Sequence, residues 1–400
     1  MAIPRTRSGR YPAILSYGFR PFFGLGAVFA GLSILFWLPL LHGHLTTSSL
    51  FVPVDRHAHE LLFGYLAAVL TGFLLTAIPN WTGRLPVQGR PLLALVLLWI
   101  AGRIAVFYSA GTGWWVAALV DCAFLLAVAG AAVVEIVAGR NWRNLKVLLP
   151  VLVLLAANVL FHIEAHVEGL SDVARRLAIG AAIVLVMVIG GRLIPSFTRN
   201  WLARENPGRL PVPPNRFDMA ALLLTASALA AWTFWPQRAE TGAALLIAAV
   251  LNAVRLGRWA GDRTLRDPLV WILHVAYAFV PVGLLLAALA ILLPDKVAPV
   301  AGLHALGVGA IGTMTLAVMV RATLGHTGHP LRAGKAGAFV FASILIAASA
   351  RIAAALGLPG NELLPLSAGA WAAAFLGFAV LYGGMLCGPR RSKDDTPRKS

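Results

Sequence analysis

The sequence predicts an all-α, polytopic membrane protein of twelve transmembrane helices, and three observations carry that reading. Hydrophobic residues make up 59% of the 400 residues and charged residues 12%, whereas a water-soluble domain carries about 25% charged residues. Mean hydropathy is +0.80. The apolar residues also fall in runs close to the roughly 20 residues that a helix needs to cross a hydrocarbon core about 30 Å thick. The net charge of +17 does not indicate nucleic acid, because the basic residues lie in short runs between apolar segments. Cys122 and Cys387 are the two cysteines, in or at the end of apolar segments, which argues against a disulfide framework or a thiolate cluster.

The segments run at about 20–42, 57–79, 91–109, 114–137, 147–168, 173–198, 217–235, 240–257, 268–292, 299–324, 334–357 and 363–387. The first is too long for a signal-peptide core and has no clear small-residue cleavage site, so it reads as retained. The longest polar connection, 199–216, is too short for a soluble domain. The chain therefore reads as a single membrane domain, 1–400, that acts within its membrane core or on short loops. Charge predicts the sidedness. Both termini and the even-numbered connections carry 24 basic residues, among them Arg5, Arg7, Arg10, Arg84, Arg140, Arg199, Arg263 and Arg332. The odd connections carry 5: Arg56, Arg175, Arg176, Arg238 and Lys296. Both termini are expected in the cytoplasm.

An internal register also emerges. Ile78-Pro79-Asn80-Trp81-Thr82 aligns with Ile194-Pro195-Ser196-Phe197-Thr198 at an offset of 116, which also superposes Leu61 on Leu177 and Gly64 on Gly180. A further 129 residues bring in Leu306, Gly309 and Thr327 and superpose Arg192 on Arg321. His59 falls on Arg175 and then on His304 in the same register. This predicts three tandem four-helix units in a pseudo-threefold arrangement, at about 13–140, 141–260 and 261–388, with a disordered cytoplasmic tail over 389–400.

Ionisable groups at membrane depth are costly and point to function. Seven of the ten histidines are predicted in the outer third: His42, His44, His57, His59, His162, His166 and His304, together with Glu60 and Glu164. His162 and His166 are four apart and share a helix face, so with Glu164 beside them they are candidates for copper or a second haem iron. His57 and His59 are two apart, roughly 200° around a helix, and face one centre only if the helix frays there. Two imidazoles on opposite sides of a porphyrin make a six-coordinate haem. His59 and His304 suit a b-type haem in that way, with His57 the alternative ligand from the second helix. Arg56, Arg175 and Arg176 lie where they could clasp propionates. Arg103 and Asp121 flank the 110–113 connection and are read as a buried ion pair in preference to a proton path. Gly325-His326-Thr327-Gly328-His329-Pro330 is a weaker metal or headgroup candidate. There is no Cys-x-x-Cys-His motif, so any haem is non-covalent.

Several stretches resemble the NnrS family. They include Tyr17-Gly18-Phe19-Arg20-Pro21-Phe22-Phe23, His57-Ala58-His59-Glu60, Pro79-Asn80-Trp81-Thr82-Gly83, Asn158-Val159-Leu160-Phe161-His162 and Gly325-His326-Thr327-Gly328. The resemblance runs from about 13 to 387. It implies a bacterial inner-membrane protein that contains haem and copper and takes part in nitric oxide metabolism and resistance to nitrosative stress. It implies no settled reaction and no ligand set. Twelve helices in three arcs of four also resemble the main subunit of haem-copper oxidases and nitric oxide reductases, where histidines on the second and tenth helices hold a haem. This chain departs from that pattern, having no histidine in its sixth or seventh segment.

The leading expectation is therefore a haem- and copper-binding membrane protein acting on nitric oxide by redox chemistry, with quinol as electron donor. A transporter of a metal or metal–nitrosyl complex is the second expectation. A non-catalytic nitric oxide sensor or sink is the third.

Overall fold

The computed structural model describes residues 11–391. The expected cytoplasmic location of Arg5, Arg7 and Arg10, and of the tail from Ser392 onward, lies outside the described residues. Among the described residues twelve helices are long and apolar enough to cross a membrane, and the chain is a multi-pass membrane protein. They are α1 (Phe19–Leu41), α2 (Pro53–Thr82), α3 (Arg90–Phe107), α4 (Trp114–Ala138), α5 (Asn144–Val167) and α6 (Asp172–Glu205). The second half continues with α7 (Arg216–Phe234), α8 (Ala239–Gly257), α9 (Pro268–Leu292), α10 (Pro299–His326), α11 (Gly334–Ala355) and α12 (Leu363–Cys387).

The hydropathy ruler clips α2 in particular, which begins four residues before the expected 57. Asp55 and Arg56 look like a loop by hydropathy, but Pro53 occupies the first turn, where its missing N–H costs nothing. Asp55 is buried and accepts from the Ser171 backbone N–H at 2.8 Å. His57 and His59 thus stand in regular helix rather than at a frayed end. At its other end α2 closes on Gly83 at φ 71°, a left-handed position that favours glycine.

Two compact units divide the chain: 1–171 with 319–331 and 375–400, and 172–318 with 332–374. In the first, α2 is the central helix, with 83% of its most apolar window buried. Its neighbours are α1 along its length, α4 over its second half, and α3 and α5 in its first half. In the second, α9 packs along α8 and along the start of α10, while α6 packs on α7.

Both α2 and α10 widen to π-helix just after a histidine: Glu60–Leu66 follows His59, and Ala305–Gly312 follows His304. Such segments cluster at functional positions. The two begin 245 residues apart, the sum of the two sequence offsets. Within each, a glycine meets a phenylalanine of the preceding helix. A Cβ at Gly64 would stand 2.6 Å from Phe29 Cε1, and one at Gly309 would stand 2.5 Å from Phe279 Cδ1. α6, the expected counterpart in the middle, is α-helical throughout.

Candidate metal centre

The first unit holds a buried polar cluster built on four helices. α2 contributes His59 and Glu60, α3 Arg103, α4 Asp121, and α5 Asn158 and His162, each less than a tenth exposed. Asp121 is its hub. Its Oδ1 accepts from Arg103 Nη2, whose Nη1 donates to Glu60 Oε2. Its Oδ2 accepts from Asn158 Nδ2 at 2.8 Å and from His162 Nε2 at 3.2 Å, and lies 3.2 Å from His59 Nε2. His59 Nε2 also donates to Asn158 Oδ1 at 3.1 Å. His59 Nδ1 is buried without a partner, so every polar contact of this ring is on its Nε2 side.

Local sequence explains how these groups meet. Asn158 and His162 are four apart, one turn along one face of α5. His59 is the last residue before the π-helical turn, where the Gly64 carbonyl accepts from Trp99 Nε1 at 2.9 Å as well as from the Ala67 backbone N–H. Gly64 leaves room for the ion pair, since a Cβ there would come within 3.0 Å of both Arg103 Nη1 and Glu60 Oε2. Phe51, Phe63 and Phe161 surround the His59 ring at centroid distances of 4.7, 5.1 and 5.2 Å. The surroundings are dry and aromatic on one side and charged on the other.

One nitrogen from His59, one from His162 and one Asp121 oxygen all lie within 4.8 Å of one another. Donors about 2.1 Å from a shared ion and about 100° apart stand about 3.2 Å from each other. The observed 3.2 Å spacings of Asp121 Oδ2 to both imidazoles fit that requirement. Charge favours a cation as well. Within the hydrogen-bonded cluster two carboxylates, Glu60 and Asp121, share the Arg103 guanidinium.

The other predicted site residues fall elsewhere. His57 points away from His59 and stacks on Trp37 at 4.3 Å. The Arg56 guanidinium lies over the rings of Phe36 and Phe107, at 4.9 and 5.4 Å. His162 and His166 are not brought to one point: His166 is exposed and stacks on Trp114 at 4.6 Å, near the end of α5. Glu164 is buried but stands outside the His59–Asp121–His162 group. His304, Arg175 and Arg176 belong to the second unit. There Arg175 pairs with Asp172, and Arg176 donates to the Thr233 carbonyl at 3.4 Å. His326 stacks against Tyr17 and His329 meets the Thr327 hydroxyl at 2.8 Å, so the loop histidines have local partners.

Arg103 and Asp121 do form the expected buried ion pair. Sequence reasoning missed that the same carboxylate is the third donor beside two histidines, and that Asn158 orients it. The Asn158–His162 spacing was the available signal. Also missed was a buried network in the second unit, where Arg255 Nε donates to Asp218 Oδ1 at 3.0 Å and Tyr277 Oη donates to Asn252 Oδ1 at 2.7 Å. His274, near Thr198 Oγ1 at 2.8 Å, is a further buried imidazole there.

Among known proteins, the family model described as NnrS protein matches residues 13–390. No curated protein matches the chain.

Proposed function

The chain belongs to the NnrS family, and from that premise we propose that it is a metal-binding protein of the bacterial inner membrane that acts in nitric oxide metabolism and resistance to nitrosative stress. Its reactive ion would be held by His59, Asp121 and His162. The observation that carries the reading is this buried group of two imidazoles and a carboxylate. Copper and iron both accept such a donor set, and three protein ligands would leave positions open for a small molecule.

When bound, such an ion supplies one-electron exchange with nitric oxide. The chain's own residues set the conditions. Arg103 holds Asp121 through Oδ1 and leaves Oδ2 facing the imidazoles. Asn158 Nδ2 donates to Asp121 Oδ2, and partners of this kind orient ligands and tune the ion. Phe51, Phe63 and Phe161 exclude water, which strengthens every charge interaction inside. Because His59 Nε2 faces Asp121 and Asn158, we assign this imidazole to the ion. A b-type haem then falls to His304 in the second unit, with Arg175 and Arg176 as its neighbouring cations and quinol as the electron donor.

A nitric oxide electrode tests the proposal on proteoliposomes supplied with a reductant. Wild-type protein should remove nitric oxide, and His162→Ala should lose that activity while keeping its elution profile. Equal removal by the two proteins would overturn the assignment.

A further inference from the structure

Of the three phenylalanine rings that surround His59, Phe63 on α2 and Phe161 on α5 are fixed by helical backbone. The third, Phe51, belongs to the 42–52 connection between α1 and α2. Within the described stretch 41–54, Phe51 alone is buried, while Leu50 and Val52 on either side of it are exposed. Its ring centroid stands 4.7 Å from that of His59 and 5.2 Å from that of His162. The two imidazoles stand 5.0 Å from each other. One ring on a connection therefore covers both.

Little holds that ring in place. Leu50 N–H donates to Ser109 Oγ at 2.8 Å, and Ala110 N–H donates to the Ser48 carbonyl at 2.8 Å. Ser109 is itself fastened to the end of α3, where its hydroxyl donates to the Val106 carbonyl at 3.0 Å. These bonds latch the connection to the short helical turn Ser109–Thr112. Each contributes little net stability, because water offers the same partners once the latch opens. The closed arrangement also leaves His59 Nδ1 buried without a partner. An unmade hydrogen bond of this kind is a cost that wetting relieves. A weak latch over an unsatisfied nitrogen puts this segment at the low-stability end of the fold.

We propose that Phe51 is the gate of the metal centre: it closes the site to water and charged solutes and sets which molecules reach His59 and His162. A charged solute must shed its hydration to pass an aromatic ring, whereas a small uncharged one has little to lose. The gate thus favours a ligand with the size and polarity of nitric oxide over an anion such as nitrite. This rests on the reading that these imidazoles hold an ion, yet the passage itself exists with or without the ion.

A thiol placed behind the gate therefore reads it without any metal. In full-length protein carrying Cys122→Ala and Cys387→Ala, His162→Cys supplies that thiol. Thr46→Cys, on the exposed part of the same connection, supplies a control. Each is reacted in detergent with hydroxyethyl and aminoethyl methanethiosulfonate, which are close in size and differ in charge. Relative to the control, the cationic reagent should label position 162 more slowly than the neutral one by about tenfold or more. Phe51→Ala should remove most of that difference. Ser109→Ala, which breaks one bond of the latch, should speed cationic labelling by about fivefold. Phe51→Leu repeats the comparison, with the same direction expected, should the alanine variant fold poorly. The same ratio of cationic to neutral rates with and without Phe51 would overturn the gate. Failure of the ion reading would appear instead in metal content and leave these rates as they are.

Discussion

Asp121 accepts on both carboxylate oxygens, and that makes it the residue whose loss has the widest effect. Asp121→Asn keeps the shape and removes the charge, leaving Arg103 with Glu60 alone. Breaking a buried pair from one side costs about 3–5 kcal/mol. Thermal unfolding in detergent should show a marked drop in midpoint for Asp121→Asn, and metal content should fall with it. Asn158→Ala separates orientation from ligation. It keeps all three donors but removes the amide that touches both His59 and Asp121. Metal affinity should fall by about 10–100-fold, and competition with a chelator would measure it; an unchanged affinity would remove Asn158 from the account. At this scale the sequence was half legible. The histidines and the Arg103–Asp121 pair stood out because such groups are rare in apolar helices. Which histidines meet was hidden, because His57 and His166 look equivalent to His59 and His162 until ring stacking on Trp37 and Trp114 takes them away.

The π-helical turns are where element and site meet. Gly64 lies inside one of them, against Phe29, Arg103 and Glu60. Gly64→Ala forces that contact apart and should cost about 1–3 kcal/mol, with metal lost in proportion to the displacement of Arg103. Gly307→Ala is the control on the other π segment, where a Cβ meets open space. It should be neutral or slightly stabilising, since alanine is the better helix former. Unfolding midpoints of the two variants check the contrast, and equal midpoints would contradict it. Helix number was legible from apolar length. The start of α2 was not, because hydropathy counts Asp55 and Arg56 as water-facing, while folding buries one and lays the other over aromatic rings. Nor does any residue type announce a π turn; only the repeated spacing around His59 and His304 hinted at it.

For the whole molecule, the charge asymmetry makes a sharp topological prediction. Lys296→Cys lies in the connection between α9 and α10, and Arg266→Cys in the one between α8 and α9. An impermeant thiol reagent added to intact cells should label Lys296→Cys and spare Arg266→Cys; the reverse would invert the orientation. The depth of the buried cluster follows from the same argument, since Arg103 near the end of α3 and Asp121 near the start of α4 would then lie toward the outer face. The central claim is narrower than the topology: His59, Asp121 and His162 hold a metal ion. Elemental analysis of purified wild type against His162→Ala tests it most directly. The account predicts about one copper or iron per chain in wild type beyond any haem iron, and loss of that ion in a folded His162→Ala protein. The same non-haem metal content in both proteins would contradict it.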